Sequence, residues 1–402
     1  MNIIYVSFLY PEKLKEELIK LGSLIDYPGD RFQHGLLRGM STAEPNISVV
    51  CSAFMSSYPK VKKIYFKPET YSINEGKIKG YYVGGYNIPG IKFVSEFLRI
   101  RKEIKKHLSK TEENVVILYE LHSPFMLAVK SLKRRIDASC LIVPDLPEFM
   151  TEKKSTLYRL AKKIDRQIID WCTKAFDSFV LFSPHMKERL AIGKEPWCNV
   201  EGVYSAPVNT TIVEKDPKKV ILYTGALTRR VGIPELLEAF EGIKDPDYRL
   251  WIRGDGQTIK ELILQKAKQD SRIVYFERMS AKELSELQKK ATVLINPVKP
   301  AEEYTRYFFP SKTMEYLASG TPTIMYKLDC LPHDYYNHIY FVENETVEGL
   351  RNTIINVCSK PKEELKAFGK QASEFILEKK NPTAQASKML DMIKIECLIK
   401  KQ

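Results

Sequence analysis

Apolar runs and amphipathic segments alternate along most of the chain. Runs of strand length that are rich in apolar residues lie at 3–9, 47–53, 115–119, 138–143 and 179–182, and again at 220–225, 248–253, 273–276 and 292–296. Such runs are typical of parallel strands that are buried on both faces. Helical periodicity lies between them, for example at 31–40, 91–110 and 151–171, and Pro28-Gly29-Asp30 indicates a loop before the first of these. The alternation predicts doubly wound α/β structure.

A polar, proline-containing segment at 206–218 interrupts this alternation. Its composition is typical of a linker between domains, and 402 residues are enough for two separate cores. We therefore predict an N-terminal α/β domain over 1–207 and a C-terminal α/β domain over 208–382. We expect the last helix, at about 383–402, to pack back on the N-terminal domain.

The segment 307–324 is predicted to form a loop, a helix, a glycine stop and a strand. Pro310 suits the first turn of the helix, where its missing N–H costs nothing, and Ser311 is expected to cap that turn with its side chain. Gly320 follows the last helical residue and is free to adopt the positive φ that ends many helices. The pattern therefore places a helix start directly after a strand and a loop.

Lys312 and Glu315 lie in the first turns of that predicted helix. A helix start offers unpaired N–H groups and the positive end of the dipole to an anion, and Lys312 adds a full charge. We interpret the pair as a candidate site for a phosphate with a hydroxyl pair beside it. The alternative is an ordinary buried helix with a surface lysine and a half-buried glutamate.

Two further strand ends in the second half carry suggestive residues. A glycine-bounded turn begins at Gly225 and presents Arg229 and Arg230, which are suited to bidentate contact with a diphosphate. Gly254 and Asp255 form a tight turn after the next strand. The carboxyl ends of parallel strands are where ligands bind in open α/β sheets, so convergence at one edge favours a site. Exposed arginines in a surface turn, and glycines needed only for a tight turn, are the structural alternatives.

In the first half, His122 and Asp145 each follow a predicted strand end. An imidazole there is able to donate to a phosphate or take up a proton, and a carboxylate is able to accept from a hydroxyl. The alternatives are a histidine that satisfies local backbone before Pro124 and an aspartate that caps a turn. Glu120, beside His122, is expected to be solvated.

Several classes of protein are disfavoured by what the chain lacks. No G-x-G-x-x-G follows the first strand and no G-x-x-x-x-G-K-[ST] occurs, which argues against a nicotinamide dehydrogenase and a P-loop nucleotidase. No run of about 18 apolar residues is present. The seven cysteines are scattered without metal-ligand spacing, and the first residues lack signal-peptide features. We expect a cytoplasmic protein with reduced thiols and no metal site, including at Asp245 and Asp247.

The net charge is +13 and is uneven, with +9 in residues 1–207 and +4 in the remainder. The helix at 151–171 is basic and places apolar residues on one side, namely Leu157, Leu160, Ile164, Ile168 and Trp171. A basic N-terminal half is suited to an anionic membrane surface, an anionic acceptor or a nucleic acid, or it is simply a solvated surface. Nucleic acid is the weakest of these, because no recognised nucleic-acid motif accompanies the charge.

The segment around Glu315 resembles the donor-site signature of GT-B glycosyltransferases of the family-4 type, the bacterial polysaccharide-type group 1 glycosyltransferases. In that family a glutamate, seven residues and a second glutamate precede a small-Gly-x-Pro-hydrophobic strand. Glu315 and residues 318–324 match the second half, and Tyr307 stands in place of the first glutamate. Further blocks are similar in order and spacing at 223–233, 250–256 and 291–297, and others at 30–40, 144–150 and 183–186 resemble the acceptor-side domain.

The resemblance implies two Rossmann-like domains that face each other across a cleft, with a nucleotide-sugar donor held mainly by the second. Glu315 would bind the ribose hydroxyls, and amides near Ser311 and Lys312, with Arg229 or Arg230, would hold the diphosphate. The remaining donor-site loops would contain Gly225, Gly254, Asp255, Tyr307, Phe309 and Pro310. His122 and Asp145 are the catalytic candidates.

This chain departs from the family pattern in its cations. The family usually has an arginine directly after the first glycine of the turn and a lysine just before the second. Ala226 and Val231 occupy those positions here, so we expect the Arg229–Arg230 pair and Lys312 to supply the charge.

The function that the resemblance implies is a retaining, metal-independent transfer of a sugar to a hydroxyl of a glycan or of a polyprenyl-diphosphate-linked acceptor. The expected setting is bacterial surface polysaccharide biosynthesis, without a cofactor, in the cytoplasm or on the inner face of the cell membrane. Two alternatives stay open: a nucleotide-sugar epimerase of the same architecture, and a non-catalytic membrane-associated partner subunit.

Overall fold

The computed structural model describes residues 1–146, 156–206, 211, 213–300 and 303–401. The chain forms two compact units, one of Met1–Ser205 with Asn381–Gln402 and the other of Ala206–Lys380. No helix in these described ranges is both long and apolar enough to cross a membrane.

The N-terminal unit is built on an eight-stranded sheet with the order β10-β9-β8-β7-β1-β2-β5-β4. All neighbours in it pair in parallel except β4 and β5, while β3 and β6 form a separate antiparallel pair. The strands are β1 (Asn2–Phe8), β2 (Ile47–Ser52), β3 (Tyr65–Phe66), β4 (Glu69–Ile73), β5 (Ile78–Tyr82), β6 (Gly85–Tyr86), β7 (Asn114–Tyr119), β8 (Ala138–Val143), β9 (Ser178–Leu181) and β10 (Trp197–Asn199).

Strands β1, β7 and β8 are buried along their whole length, as their continuous apolar runs predict. The helices of this part of the chain are α1 (Glu12–Lys20), α2 (Tyr27–Ala43), α3 (Ile91–His107), α4 (Ser123–Ser131), α5 (Thr156–Thr173) and α6 (Met186–Arg189).

The prediction of a loop at Pro28-Gly29-Asp30 is wrong, because these residues form the first turn of α2. The side chain of Asp26 accepts a hydrogen bond from the Gly29 N–H at 3.2 Å and caps the helix. Pro28 lies in the first turn, where a missing N–H is tolerated. A proline and a glycine are turn signals in isolation, but an upstream cap converts them into a helix start.

The C-terminal unit contains a six-stranded, wholly parallel sheet with the order β13-β12-β11-β14-β15-β16. Its strands are β11 (Lys219–Thr224), β12 (Tyr248–Arg253), β13 (Ile273–Phe276), β14 (Val293–Asn296), β15 (Thr323–Met325) and β16 (Tyr340–Phe341). Its helices are α7 (Ile233–Glu241), α8 (Gln257–Gln269), α9 (Ala281–Lys290), α10 (Lys312–Ala318), α11 (Val347–Cys358) and α12 (Lys362–Lys379).

Part of the expected linker is packed against this unit. The Nζ of Lys215 donates to the Ala291 carbonyl at 2.6 Å and to the Thr321 hydroxyl at 2.9 Å. Burial lowers the pKa of Lys215 to about 8. Residues 207–210 and 212 of the predicted linker lie outside the described ranges, as do 147–150 of the predicted acceptor-side block.

The last long helix, α13 (Pro382–Met392), belongs to the N-terminal unit and packs against α2. The side chain of Asn381 caps it by accepting from the Ala384 N–H at 2.9 Å. A Cβ added to Gly39 of α2 would lie 1.9 Å from the Pro382 carbonyl oxygen. The two helices therefore approach each other as closely as a glycine allows. The chain continues as a π-helical turn at Ile393–Leu398 and a 3-10 turn at Ile399–Lys401.

Replacing Gly39 by alanine should destabilise the protein. Alanine is the better residue in a helix interior by about 1 kcal/mol. Overpacking of a close contact costs about 1–3 kcal/mol, so the contact with α13 decides the sign. Urea unfolding should show a lower midpoint for Gly39→Ala. Gly193→Ala is the control, because its nearest neighbour would be the Glu195 carboxylate at an ordinary 3.4 Å. An unchanged or higher midpoint for Gly39→Ala would contradict the close packing.

Candidate functional site

In the C-terminal unit, a buried tyrosine fastens α10 to the end of β11. The hydroxyl of Tyr316 donates to the Thr224 carbonyl at 2.8 Å and accepts from the Thr224 N–H at 2.8 Å. Tyr316 has no exposed surface, and Thr224 is the last residue of β11. The start of α10 is thereby held against the turn that follows β11. The sequence did not single out Tyr316, although a buried tyrosine hydroxyl usually has a hydrogen-bond partner.

The tie brings Lys312 next to Gly225. A Cβ added to Gly225 would lie 2.6 Å from the Tyr223 hydroxyl and 3.6 Å from Cε of Lys312. Lys312 and Glu315 are both about one-third exposed, and the Lys312 Nζ lies 3.4 Å from a carboxylate oxygen of Glu315. Two of the predicted site elements, the turn after β11 and the start of α10, thus lie side by side.

The turn after β12 packs against the turn after β11. The Leu227 N–H donates to the Asp255 carbonyl at 2.9 Å. A Cβ added to Gly254 would lie 1.9 Å from the Gly225 oxygen, and one added to Gly256 would lie 2.1 Å from the Leu227 oxygen. The glycines are therefore required by the packing of the two turns. The Asp255 side chain is exposed beside them.

Arg229 and Arg230 lie in the short 3-10 helix Arg229–Val231, and both are exposed. The guanidinium of Arg230 lies 5.9 Å from the ring centre of Tyr304, a cation–π distance. Gly232 follows with φ +84°, and a Cβ there would lie 2.3 Å from the Pro297 oxygen after β14. This glycine lets the arginine turn pack close to the neighbouring strand end.

The loop before α10 differs from its prediction. Ser311 has helical dihedrals (φ −51°, ψ −27°) and its side chain makes no capping hydrogen bond, so the expected side-chain cap is wrong. The helix begins at Lys312, which leaves Pro310 before the first turn, with its carbonyl accepting from the Thr313 N–H at 2.8 Å. A serine side chain caps from extended dihedrals, and the chain here has already turned.

Phe309 and Tyr307 occupy different environments in this loop. Phe309 is 5% exposed, and its ring lies 5.5 Å from that of Tyr335, so it belongs to the unit's interior. Tyr307 is half-buried and follows the short 3-10 helix Glu303–Arg306. Its N–H donates to the Tyr304 carbonyl at 3.0 Å.

In the N-terminal unit, His122 is held by a buried carboxylate. It directly precedes α4, and its Nε2 lies 2.9 Å from an oxygen of Glu96 on α3. Glu96 is 4% exposed and also accepts from the Ser52 hydroxyl at 3.2 Å. The rings of Phe8 and Phe125 lie 4.7 and 4.6 Å from the imidazole. Glu96 was not among the predicted site residues, because its only signal in the sequence is an acidic residue within a basic helix.

Glu120 lies at the end of β7 and is half-buried. The prediction that it is solvated is therefore wrong. Its φ is +79°, an uncommon conformation for a residue other than glycine. Burial raises the pKa of Glu120, and the nearby carboxylates of Asp26 and Asp145 raise it further. His122 lowers this pKa by a smaller amount than burial raises it. Asp145 is exposed after β8, and its side chain accepts from the Leu146 N–H at 2.8 Å. His122, Glu120 and Asp145 therefore share the carboxyl ends of adjacent strands.

Comparisons with known proteins place these observations in a family. Residues 210–375 match the family described as glycosyl transferases group 1. A glycosyltransferase from Rickettsia africae ESF-5 superposes with a TM-score of 0.65 at 14% identity, covering 98% of both chains. The lipopolysaccharide outer core galactosyltransferase WaaB in its apo form has a TM-score of 0.61 at 15% identity, covering 98% of this chain and 99% of its own.

Anabaena Alr3699/HepE in complex with UDP superposes with a TM-score of 0.62 at 10% identity, covering 98% of this chain and 99% of its own. Comparison of the sequence with curated proteins gave no match. The family match assigns residues 210–375 to the group 1 glycosyl transferases, and the structural likeness gives the chain the GT-B fold. The protein is therefore a glycosyltransferase, as predicted.

Removing the Tyr316 hydroxyl should destabilise the C-terminal unit. In Tyr316→Phe the N–H and carbonyl of Thr224 lose their partner, and a buried polar group without a partner costs about 1–3 kcal/mol. We expect a lower urea midpoint than for Tyr340→Phe, a control at a half-buried tyrosine of the same unit. Equal midpoints would show that the tie does not stabilise the unit.

Glu120→Gln should stabilise the protein at neutral pH. Because the pKa of Glu120 is raised in the folded protein, the folded state binds more protons than the unfolded state above the ordinary glutamate pKa. The stability of the native protein therefore falls as pH rises through that window. Glutamine does not ionise, so the variant's advantage should be present at pH 7 and vanish near pH 4, as measured by urea unfolding at both. A difference that does not change with pH would contradict the burial of this carboxyl.

Proposed function

We propose that the protein is a retaining, metal-independent glycosyltransferase that moves a sugar from a nucleotide-sugar donor to a hydroxyl of a glycan or lipid-linked acceptor. The setting is bacterial surface polysaccharide biosynthesis. The observation that carries this proposal is the junction of Lys312 with the turn at Gly225, inside the segment that matches the family.

The donor's diphosphate is held by the C-terminal unit. Lys312 and the guanidiniums of Arg229 and Arg230 supply positive charge. The diphosphate approaches the backbone closely at Gly225 and Ser311. Charge-assisted contacts to phosphate are stronger than a partly exposed lysine–glutamate pair. When the donor binds, Lys312 contacts the phosphate in place of Glu315, and the Glu315 carboxylate accepts hydrogen bonds from the ribose hydroxyls.

The same cations promote departure of the nucleotide. During transfer the bond from the sugar's anomeric carbon to the diphosphate oxygen breaks, and negative charge develops on that oxygen. Positive groups fixed in advance stabilise this charge, which is the role that a metal ion has in other phosphate sites. The acceptor hydroxyl bonds to the anomeric carbon on the face that the nucleotide leaves, and its proton passes to the departing oxygen.

The acceptor is oriented by the N-terminal unit. His122, fixed by Glu96 and two aromatic rings, donates to the reacting sugars, and Asp145 accepts from a hydroxyl. The excess of positive charge in residues 1–207 supports a location on an anionic membrane surface, where a polyprenyl-diphosphate-linked acceptor is presented.

The donor site is tested first by a thermal-shift screen with four nucleoside diphosphates. UDP is the first nucleotide to examine, because the Anabaena neighbour was solved with it; GDP, ADP and dTDP complete a thermal-shift screen. A ligand that binds only the folded state at 100 times its Kd stabilises it by about 2.7 kcal/mol. No shift with any of the four would contradict the donor site.

Lys312→Ala and Arg230→Ala should weaken UDP about tenfold, a cost of about 1.4 kcal/mol, and leave uridine binding unchanged. Glu315→Ala should abolish the preference for UDP over 2′-deoxy-UDP. Exposed Glu345, changed to alanine, is the control. Calorimetry that shows the same preference in Glu315→Ala would remove Glu315 from the ribose site. An equal loss of uridine affinity in Lys312→Ala would remove Lys312 from the diphosphate site.

One observation favours a second candidate, a non-catalytic partner subunit with the same fold. Tyr307 occupies the position of the family's first glutamate and offers a phenol where a carboxylate would contact the sugar. Slow hydrolysis of a bound UDP-sugar without acceptor separates the two candidates. A catalytic protein releases free sugar and UDP, whereas a silent subunit binds UDP and releases neither.

A further inference from the structure

Three helices lie side by side on one face of the N-terminal sheet. Helix α3 packs against α4, and α4 packs against α5. Helix α4 is largely buried between its neighbours, so the outward faces of α3 and α5 form the surface of this layer. Helices α1, α2 and α13 do not belong to this layer, and α13 packs on α2.

The outward faces of α3 and α5 carry large apolar side chains at helical spacing, each about half exposed. We name these six residues the docking face: Ile91, Val94 and Leu98 of α3, and Leu160, Ile164 and Trp171 of α5. Single exposed apolar residues are common on proteins, but stripes at i, i+3, i+7 on one helix and at i, i+4, i+11 on another form aligned ridges.

Positive charge continues the stripe of α3 and fills the space beside it. Beyond Leu98 the same side of α3 presents Arg101 and Lys105. A groove of about 750 Å³ at the C-terminal ends of α3 and α4 is lined by cations, namely Arg101, Lys105, Lys130, Lys133, Arg134 and Arg135. The Lys130 Nζ lies 4.1 Å from the ring centre of Trp171, so the groove adjoins the apolar stripe of α5.

Acidic side chains on these helices are matched by cations. Asp165 and Asp170 of α5 lie 3.7 and 2.9 Å from Lys162 and Arg166, respectively. Glu103 of α3 lies 2.7 Å from Lys106. Among the cations that line the groove, Lys133 pairs with Asp177, whereas Arg101, Lys105, Lys130, Arg134 and Arg135 belong to none of these pairs, so the layer as a whole attracts anions.

We propose that the docking face binds an anionic phospholipid bilayer. Its apolar side chains enter the boundary between headgroups and acyl chains, and the cationic groove binds lipid phosphates. Apolar ridges with cations beside them are the pattern of segments that lie in a membrane interface, and each lysine or arginine near an anionic surface strengthens binding. Tryptophan is favoured at that depth because its ring is apolar and its N–H is polar.

The same helix links this face to the candidate site. Helix α3 presents Leu98 outward and Glu96, the partner of His122, inward. Binding of the docking face to a bilayer would therefore present the His122 end of the unit to a lipid-linked acceptor. This benefit rests on the proposed function, whereas binding to lipid does not require turnover.

The experiment is co-sedimentation of the full chain with vesicles, without nucleotide. One set of vesicles contains phosphatidylglycerol and phosphatidylcholine, and the other contains phosphatidylcholine alone. We expect the protein to prefer the anionic vesicles and the double variant Leu98→Gln/Ile164→Gln to lose at least tenfold in partitioning. Arg134→Gln/Arg135→Gln should lose part of the preference for anionic vesicles. Leu24→Gln, the same change at a 71% exposed residue between α1 and α2, should bind like the native protein.

Equal sedimentation with both kinds of vesicle, or full binding by Leu98→Gln/Ile164→Gln, would overturn the proposal. A native dimer in size-exclusion chromatography that the double variant converts to monomer would also overturn it, because the face would then join two copies of the chain. All six side chains are about half exposed, so the variants should keep the native urea midpoint. If UDP still raises the melting temperature while vesicle binding fails, this inference fails and the proposed function stands. If vesicle binding is as expected while UDP does not raise the melting temperature, the proposed function fails and this inference stands.

Discussion

The arrangement of the C-terminal site depends on one buried hydroxyl. Tyr316 makes two hydrogen bonds to Thr224, 92 residues away, and so fixes the start of α10 relative to the end of β11. Most buried polar groups are hydrogen-bonded, and these two bonds hold the start of the helix against the strand end. Lys312 lies beside Gly225 as a consequence. The turn after β11 also packs closely against the turn after β12 and against Pro297 after β14, because Gly254, Gly256 and Gly232 leave no room for a Cβ at these contacts.

The N-terminal site is built by the same rule with different groups. Glu96 is a buried carboxylate that is bound by His122 and Ser52, so the charge of α3 on its inner side is compensated. The imidazole gains a fixed orientation between two aromatic rings. Nearby, Glu120 is held half-buried with a positive φ, a costly conformation that proteins keep chiefly where the surroundings enforce it. This conformation lies at the end of β7, where the fold also places the candidate catalytic group His122.

The fold class was predictable because the strands of both sheets can be recognised from short segments of the sequence. Strands such as β1, β7 and β8 are apolar runs, which is the pattern expected of parallel strands that are buried on both faces. The errors fall where a distant or upstream residue decides. Asp26 turns the expected loop at Pro28 into a helix, Ser311 has helical dihedrals and does not cap with its side chain, and Lys215 is drawn from the expected linker into the C-terminal unit by two acceptors.

The sequence by itself determined the α/β class, the alternation of strands and helices, and the residues Lys312, Glu315, Arg229, Arg230 and His122 as candidates, because these follow from local pattern and motif. Only the tertiary structure decided which partners hold them. Glu96 is 26 residues from His122 and Tyr316 is 92 residues from Thr224, and no local pattern encodes a hydrogen bond across such distances. The outward ridges of α3 and α5 were also a tertiary result, since amphipathic periodicity does not say which apolar stripe a sheet will cover.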